Sequence, residues 1–171
     1  MGNKTNQRRW FAGLPFWRRA ERTVAQQLRL KGIPCKLIAR ENLGHDIVTK
    51  SDLRIEVKAA TLLRNRKKGH LTRCPFFVAG IARPRGRTHQ LNESCDFYVI
   101  RLLGDLKTYL VLPAPLGVKQ LQITYRMLLT KFRENVEAWS MIQRAEQRRA
   151  KRITALECQL GVQSATRGVD A

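Results

Sequence analysis

Apolar and polar residues change their spacing several times along the chain, and each change marks an element. Across Pro15–Lys31, Trp17, Glu21, Val24, Ala25 and Leu28 recur at intervals of three and four, which predicts a helix with one core-facing stripe. Gly32 supplies the stop. Pro34–Arg40, centred on Leu37, Ile38 and Ala39, reads as a first strand. From Gly44 to Ala60 the period becomes two. The stretch GHDIVTKSDLRIEVKAA predicts two short strands joined by a polar turn at Lys50, Ser51 and Asp52. In the second strand Leu53, Ile55 and Val57 alternate with Arg54, Glu56 and Lys58. Ile55 and Val57 then face the core, and Glu56 and Lys58 share the other side.

Further along, Asp96–Leu103 and Lys107–Leu112 are dense apolar runs around a Gly104-Asp105 turn, two more strands with the composition of a sheet centre. Pro113 and Pro115 interrupt that pattern. Val118–Gln159 then reads as mostly helical in two segments. One stripe is Leu121, Tyr125, Leu128, Leu129 and Phe132, and the other is Val136, Trp139, Ile142 and Ala145. Gly161–Ala171 carries no pattern and is expected to be a frayed tail.

Composition adds a partner to this outline. Lys and Arg number 33 against 13 Asp and Glu, a formal net charge of +20 that favours polyanions, nucleic acid first. The excess is concentrated. Between Thr61 and Gln90 stand Arg64, Arg66, Lys67, Lys68, Arg73, Arg83, Arg85 and Arg87, with no acidic residue among them. A merely solvated loop has no need to exclude acids, so this segment is expected to be an arm that contacts phosphates. The final helix carries Arg144, Arg148, Arg149, Lys151 and Arg152, suited to phosphates, to a membrane surface or to plain exposure.

Other classes are disfavoured. No apolar run nears the roughly 20 residues that cross a bilayer, and the N-terminus lacks the apolar core of a signal peptide. The expected location is intracellular: cytoplasm, nucleoid or organelle, not secreted. Cys35, Cys74, Cys95 and Cys158 have no zinc-ribbon spacing and are expected to be structural or incidental thiols. No Ser/His/Asp signature or phosphate-cradling glycine loop occurs. His45, His70 and His89 are widely spaced.

The hairpin holds the candidate chemistry. With a three-residue turn, Thr49 pairs with Leu53 and Asp46 lies opposite Glu56. Opposed Cβ atoms are roughly 4.5–5.5 Å apart, so the two carboxylates repel unless a cation sits between them, and oxygen ligands suit Mg2+. Lys58 on the same face is placed to orient a water or to offset charge in a transition state. Glu21, within the apolar stripe, is costly unless used or paired. It either points at the metal site or pairs with Arg18 or Arg22 near the helix start. Asp52 suits the turn for backbone reasons, and Glu41 suits solvent.

An acidic residue, a hairpin-length gap and Glu-x-Lys within an apolar strand resemble the PD-(D/E)xK nuclease superfamily. The motif stands here as Asp46 and Glu56-Val57-Lys58, with His45 where the family name has Pro. The resemblance spans Trp17 to Pro113. It implies a restriction-endonuclease-like α/β core, a mixed central sheet flanked by helices with further C-terminal helices. It also implies that Asp46, Glu56 and Glu21 hold Mg2+ (with Mn2+ as a substitute), and that Lys58 completes the catalytic set. The expected organisation is a basic segment over 1–14, a nuclease core over 15–113 with its arm at 61–90, a helical extension over 114–160 and a tail over 161–171. The small basic chain is most similar to group I intron homing endonucleases, then to Holliday junction resolvases. Both imply DNA as partner and a homodimer or homotetramer, since two strands need two sites. A nucleic-acid-binding protein without catalysis is the alternative from another class.

Overall fold

The computed structural model describes residues 14–38, 44–63, 66–67, 70–71, 76–81, 95–103, 108–118 and 120–166. Helix α1 (Phe16–Leu30) buries Ala20, Glu21, Val24, Ala25 and Leu28. Trp17 was expected on that stripe but is exposed, with the Arg18 guanidinium 4.7 Å from its ring centre. The small Ala20 takes the core-facing position, where the helix lies close to the sheet. Gly32 ends the helix at φ 75°. Its N–H donates to the Arg29 carbonyl, and the Ile33 N–H donates to Leu28 at 2.9 Å. Two orphan carbonyls are thereby satisfied, and Ile33 and Leu28 both enter the core.

The strands are β1 (Cys35–Leu37), β2 (Ile47–Thr49), β3 (Arg54–Leu63), β4 (Arg66–Lys67), β5 (His70–Leu71), β6 (Phe76–Gly80), β7 (Phe97–Leu103), β8 (Tyr109–Pro113) and β9 (Gln120–Thr124). Seven of them form one mixed sheet, and β4 pairs with β5 apart from it. Strand β3 is its axis. On one side it pairs in parallel with β7 over Ile55–Thr61, and β7 pairs antiparallel with β8. On the other side it meets β2 at Arg54 and Ile55, and β6 only from Thr61 onward. Residues 56–60 of β3 therefore have no strand partner on that side among the described residues.

Both faces of the sheet are covered. Ile55, Val57, Val99 and Val111 pack with Val24, Leu28, Trp139 and Ile142 of the helices. Tyr98, Ile100, Leu110 and Leu112 alternate with them and form a second core with Phe77, Ile123, Leu128 and Phe132. The face carrying Glu56 is also largely buried, because the apolar residues of β7 and β8 serve both sides. Strand β8 lies at a sheet edge rather than its centre. Val136 bridges to Leu110, and Glu137 caps the edge by accepting from Thr108, from the Tyr109 N–H and from Trp139 Nε1.

The C-terminal region departs from the helical expectation at its start. Residues 120–124 form β9, paired antiparallel with β6, so the sheet continues past Pro113. Leu121 and Tyr125 suited a helical stripe, but an open edge on β6 offered backbone partners that decided otherwise. Helix α2 (Tyr125–Leu129) then begins with Thr124 Oγ1 accepting the Met127 N–H at 3.2 Å. Helix α3 (Trp139–Thr166) runs well beyond the expected start of the tail.

Candidate active site

The hairpin adopts the register its alternation predicts. Ile47 pairs with Ile55 and Val48 with Arg54, while the Thr49 N–H donates to Leu53 at 3.0 Å. Asp52 closes the turn at φ 65°, a conformation Asp tolerates better than most side chains. The ladder stops before Asp46, however. Its N–H donates to the Ile55 carbonyl at 2.9 Å, so Asp46 and Ile47 both stand against Ile55 like a bulge. Asp46 therefore does not sit squarely opposite Glu56. Its Oδ2 instead accepts the Val57 N–H at 2.7 Å, satisfying a donor that no strand covers.

Glu56, 4% exposed, is one of the few buried charged residues. Lys58 Nζ donates to its Oε1 at 2.5 Å, and its Oε2 is buried without a hydrogen-bond partner. Tyr98 stands beside it on β7, in register and almost fully buried. Burial, then the Glu56 charge, push the Asp46 carboxyl up to about 7, while the Val57 N–H pulls the other way. Glu21 is also raised, first by burial and further by Glu56, with Arg18 opposing at 3.0 Å from its Oε2. In geometry Glu21 is paired with Arg18, and it also feels the charges of Glu56 and Lys58. Asp46, Glu56, Lys58 and Glu21 share one electrostatic neighbourhood.

Among the described residues, no three His, Cys, Asp or Glu side chains stand close enough together to hold a metal ion. The donor set still fits Mg2+, which is commonly bound through one or two carboxylates plus water and substrate phosphate. The unpartnered Glu56 oxygen and the elevated Asp46 carboxyl are the features a hard cation would relieve. Of the expected arm, Arg66 and Lys67 lie on β4, paired through Arg66–Leu71 and Lys67–His70. Arg64, Lys68, Arg73, Arg83, Arg85 and Arg87 fall outside the described residues. Cys35, Cys95 and Cys158 are free thiols.

The residues that hold the hairpin still were not recognised in the sequence. Glu146 of α3 accepts from Thr49 Oγ1 and from the Ser51 N–H at 3.0 Å. Asp96 accepts the Arg54 N–H at 2.7 Å and binds Arg149, whose other nitrogen lies 3.7 Å from Asp52. These pairs are 42 to 97 residues apart, so no local pattern announces them.

No family model matches the chain, and no curated protein matches it by sequence. The fold is one used by a nuclease: an α/β domain with a central sheet flanked by helices. The solved structure of a bacterial homing endonuclease, I-Ssp6803I, is similar with a TM-score of 0.58 at 17% identity, covering 75% of this chain and 91% of that one. At that identity the likeness speaks for fold.

Proposed function

We propose that the protein is a Mg2+-dependent DNA endonuclease of the PD-(D/E)xK type, of the site-specific homing kind. The observation that carries this reading is the buried Glu56, with its unpartnered oxygen and adjacent Lys58 at the uncovered middle of β3, beside the half-buried Asp46. A likeness in fold to a homing endonuclease supports it. Asp46 and Glu56 would hold the cation, with Glu21 behind them. Bound Mg2+ supplies Lewis acidity that polarises phosphate and makes water a nucleophile near neutral pH.

The chain's own groups do the positioning. Asp46 is oriented by the Val57 N–H, which fixes one oxygen and leaves the other directed elsewhere. Lys58 neutralises one Glu56 oxygen in the resting site and would offset charge on a phosphate brought to it. Arg18 holds Glu21 against the repulsion of Glu56. The basic segment 61–90 and the net charge of +20 would bring the duplex to this face, in a homodimer or homotetramer that presents two sites to two strands.

A nucleic-acid-binding protein without catalysis is the second reading. It is favoured by the absence of a three-ligand metal cluster among the described residues and by the Lys58–Glu56 and Arg18–Glu21 pairs. Nicking of supercoiled plasmid in Mg2+ against EDTA separates the two. Cleavage that Mg2+ starts and Glu56→Gln removes supports the endonuclease. Tight binding without cleavage in Mg2+ or Mn2+, on linear duplex, four-way junction and single strands alike, supports the binding protein.

A further inference from the structure

Helix α3 is clamped to the body at its start and leaves it before its middle. Trp139 and Ile142 are buried in the core under the sheet, and Ala145 packs against it. Gln143 Nε2 donates to the Lys31 carbonyl at 2.7 Å, Glu146 binds the β2–β3 turn, and Arg149 binds Asp96. From Ala150 to Gln159 every residue is exposed. The clamped turns fix the rotational phase of the whole helix, so the direction of each later side chain is set as well.

Arg144, Arg148, Lys151 and Arg152 fall at i, i+4, i+7 and i+8, which at 3.6 residues per turn is one face. All four are exposed, and among the described residues none bonds to a carboxylate. Arg149, adjacent in sequence, points to the other side and is used by Asp96 and Asp52. Residues 147–156 contain no acid at all. Such a row of cations repels itself unless an anion covers it. Eight residues of helix rise about 12 Å. Three or four phosphates of a duplex strand stand over that length, at about 3.4 Å of axis per nucleotide.

We propose that Arg144, Arg148, Lys151 and Arg152 form a phosphate-contact row for duplex DNA, separate from the segment 61–90. Glu146 and Arg149 hold it in fixed relation to the hairpin that carries Asp46 and Glu56. This rests on the reading of the chain as a DNA-acting protein. An anionic membrane fits less well. Beside Arg144 and Arg148 the opposite side of the helix is packed on the core, which leaves only Ile153 and Leu156, exposed farther along, to insert. The row gives affinity without base choice, since phosphate contacts carry no direct sequence information.

The test uses the full chain and a labelled random-sequence duplex, with Ca2+ in place of Mg2+ and binding followed across a salt series. The variant R144Q/R148Q/K151Q/R152Q is expected to bind at least about tenfold more weakly at 0.1 M salt. Its plot of log K against log salt should be shallower by about 0.9 for each lost contact, about three to four in all. Its melting temperature should match the parent. R126Q/K131Q/R133Q, which removes three exposed cations elsewhere, should change the slope much less. Equal loss per charge in the two variants, or an unchanged slope in the first, overturns the row. Parent protein that sediments with phosphatidylserine vesicles through these four residues, while duplex binding is indifferent to them, overturns it in favour of a membrane. Parent protein that binds no duplex at low salt defeats the DNA-acting reading itself; one that binds and cleaves while the variant is unaffected defeats only the row.

Discussion

Asp46 Oδ2 accepts the Val57 N–H at 2.7 Å, so a side chain stands where a neighbouring strand would otherwise be. The carboxylate thereby serves backbone and site together, and two substitutions separate those roles. Asp46→Asn keeps an acceptor for Val57 and should leave the metal-free melting temperature unchanged or higher, with Mg2+-dependent cleavage lost. Asp46→Ala orphans a buried donor and should cost about 1–3 kcal/mol. Melting curves in EDTA and plasmid nicking check both. Normal cleavage by Asp46→Asn would remove Asp46 from the site.

The pairing of Lys58 with one oxygen of Glu56 makes their substitutions unequal. Glu56→Gln relieves the buried charge and should melt later in EDTA, yet lose cleavage by about a hundredfold or more. Lys58→Met strands the Glu56 carboxylate and should melt earlier in EDTA, with Mg2+ restoring part of the loss. If Mg2+ stabilises Glu56→Gln as much as the parent, Glu56 is not a ligand.

A pH dependence follows from Asp46. Its carboxyl is raised from an ordinary 3.8 to about 7, so between those values the folded chain holds a proton that the unfolded chain has lost. That stabilisation is complete below about 4 and is lost as pH rises through about 7. In EDTA the melting temperature of the parent relative to Asp46→Asn should therefore fall across this window. Mg2+ needs the ionised form and should stabilise more as pH rises. A difference between the two proteins that does not change with pH in EDTA would contradict the raised Asp46 carboxyl.

Glu21 is raised by burial and held by Arg18. Glu21→Gln should keep or raise stability in EDTA while weakening Mg2+ affinity and cleavage less than changes at Asp46 or Glu56. Full activity with an earlier melt would make Glu21 only the partner of Arg18. Calorimetric titration with Mg2+, alongside nicking, measures both quantities.

The Glu146 clamp should matter to hairpin and helix alike. Glu146→Ala leaves the Ser51 N–H and the Thr49 hydroxyl without their acceptor and should cost about 1–3 kcal/mol. Cleavage should fall as well, since the hairpin carries Asp46 and Glu56. Glu146→Gln, which retains an acceptor, should recover most of the stability. A hydrogen-exchange profile of residues 49–53 that is unaltered in Glu146→Ala would refute the clamp.

The sequence alone determined what is local. A period of 3.6 and a glycine at its end define α1 and its stop, because helix faces and caps are settled within a few residues. A period of two around a polar turn defines the β2–β3 register, and with it the closeness of Asp46 to Glu56 and Lys58. The charge imbalance favoured a polyanion without any structure. Tertiary structure decided whatever depends on distant partners. Residues 120–124 carry a helical pattern yet became β9, because the edge of β6 was there to be paired. The Glu56 face became a second core because β7 lies parallel to β3, and a parallel pairing across 42 residues leaves no trace in either strand. For the same reason the ladder's end at Asp46 and the hold of Glu146 and Asp96 on the hairpin are visible only in three dimensions. Each joins groups whose partners the chain supplies only once it has folded.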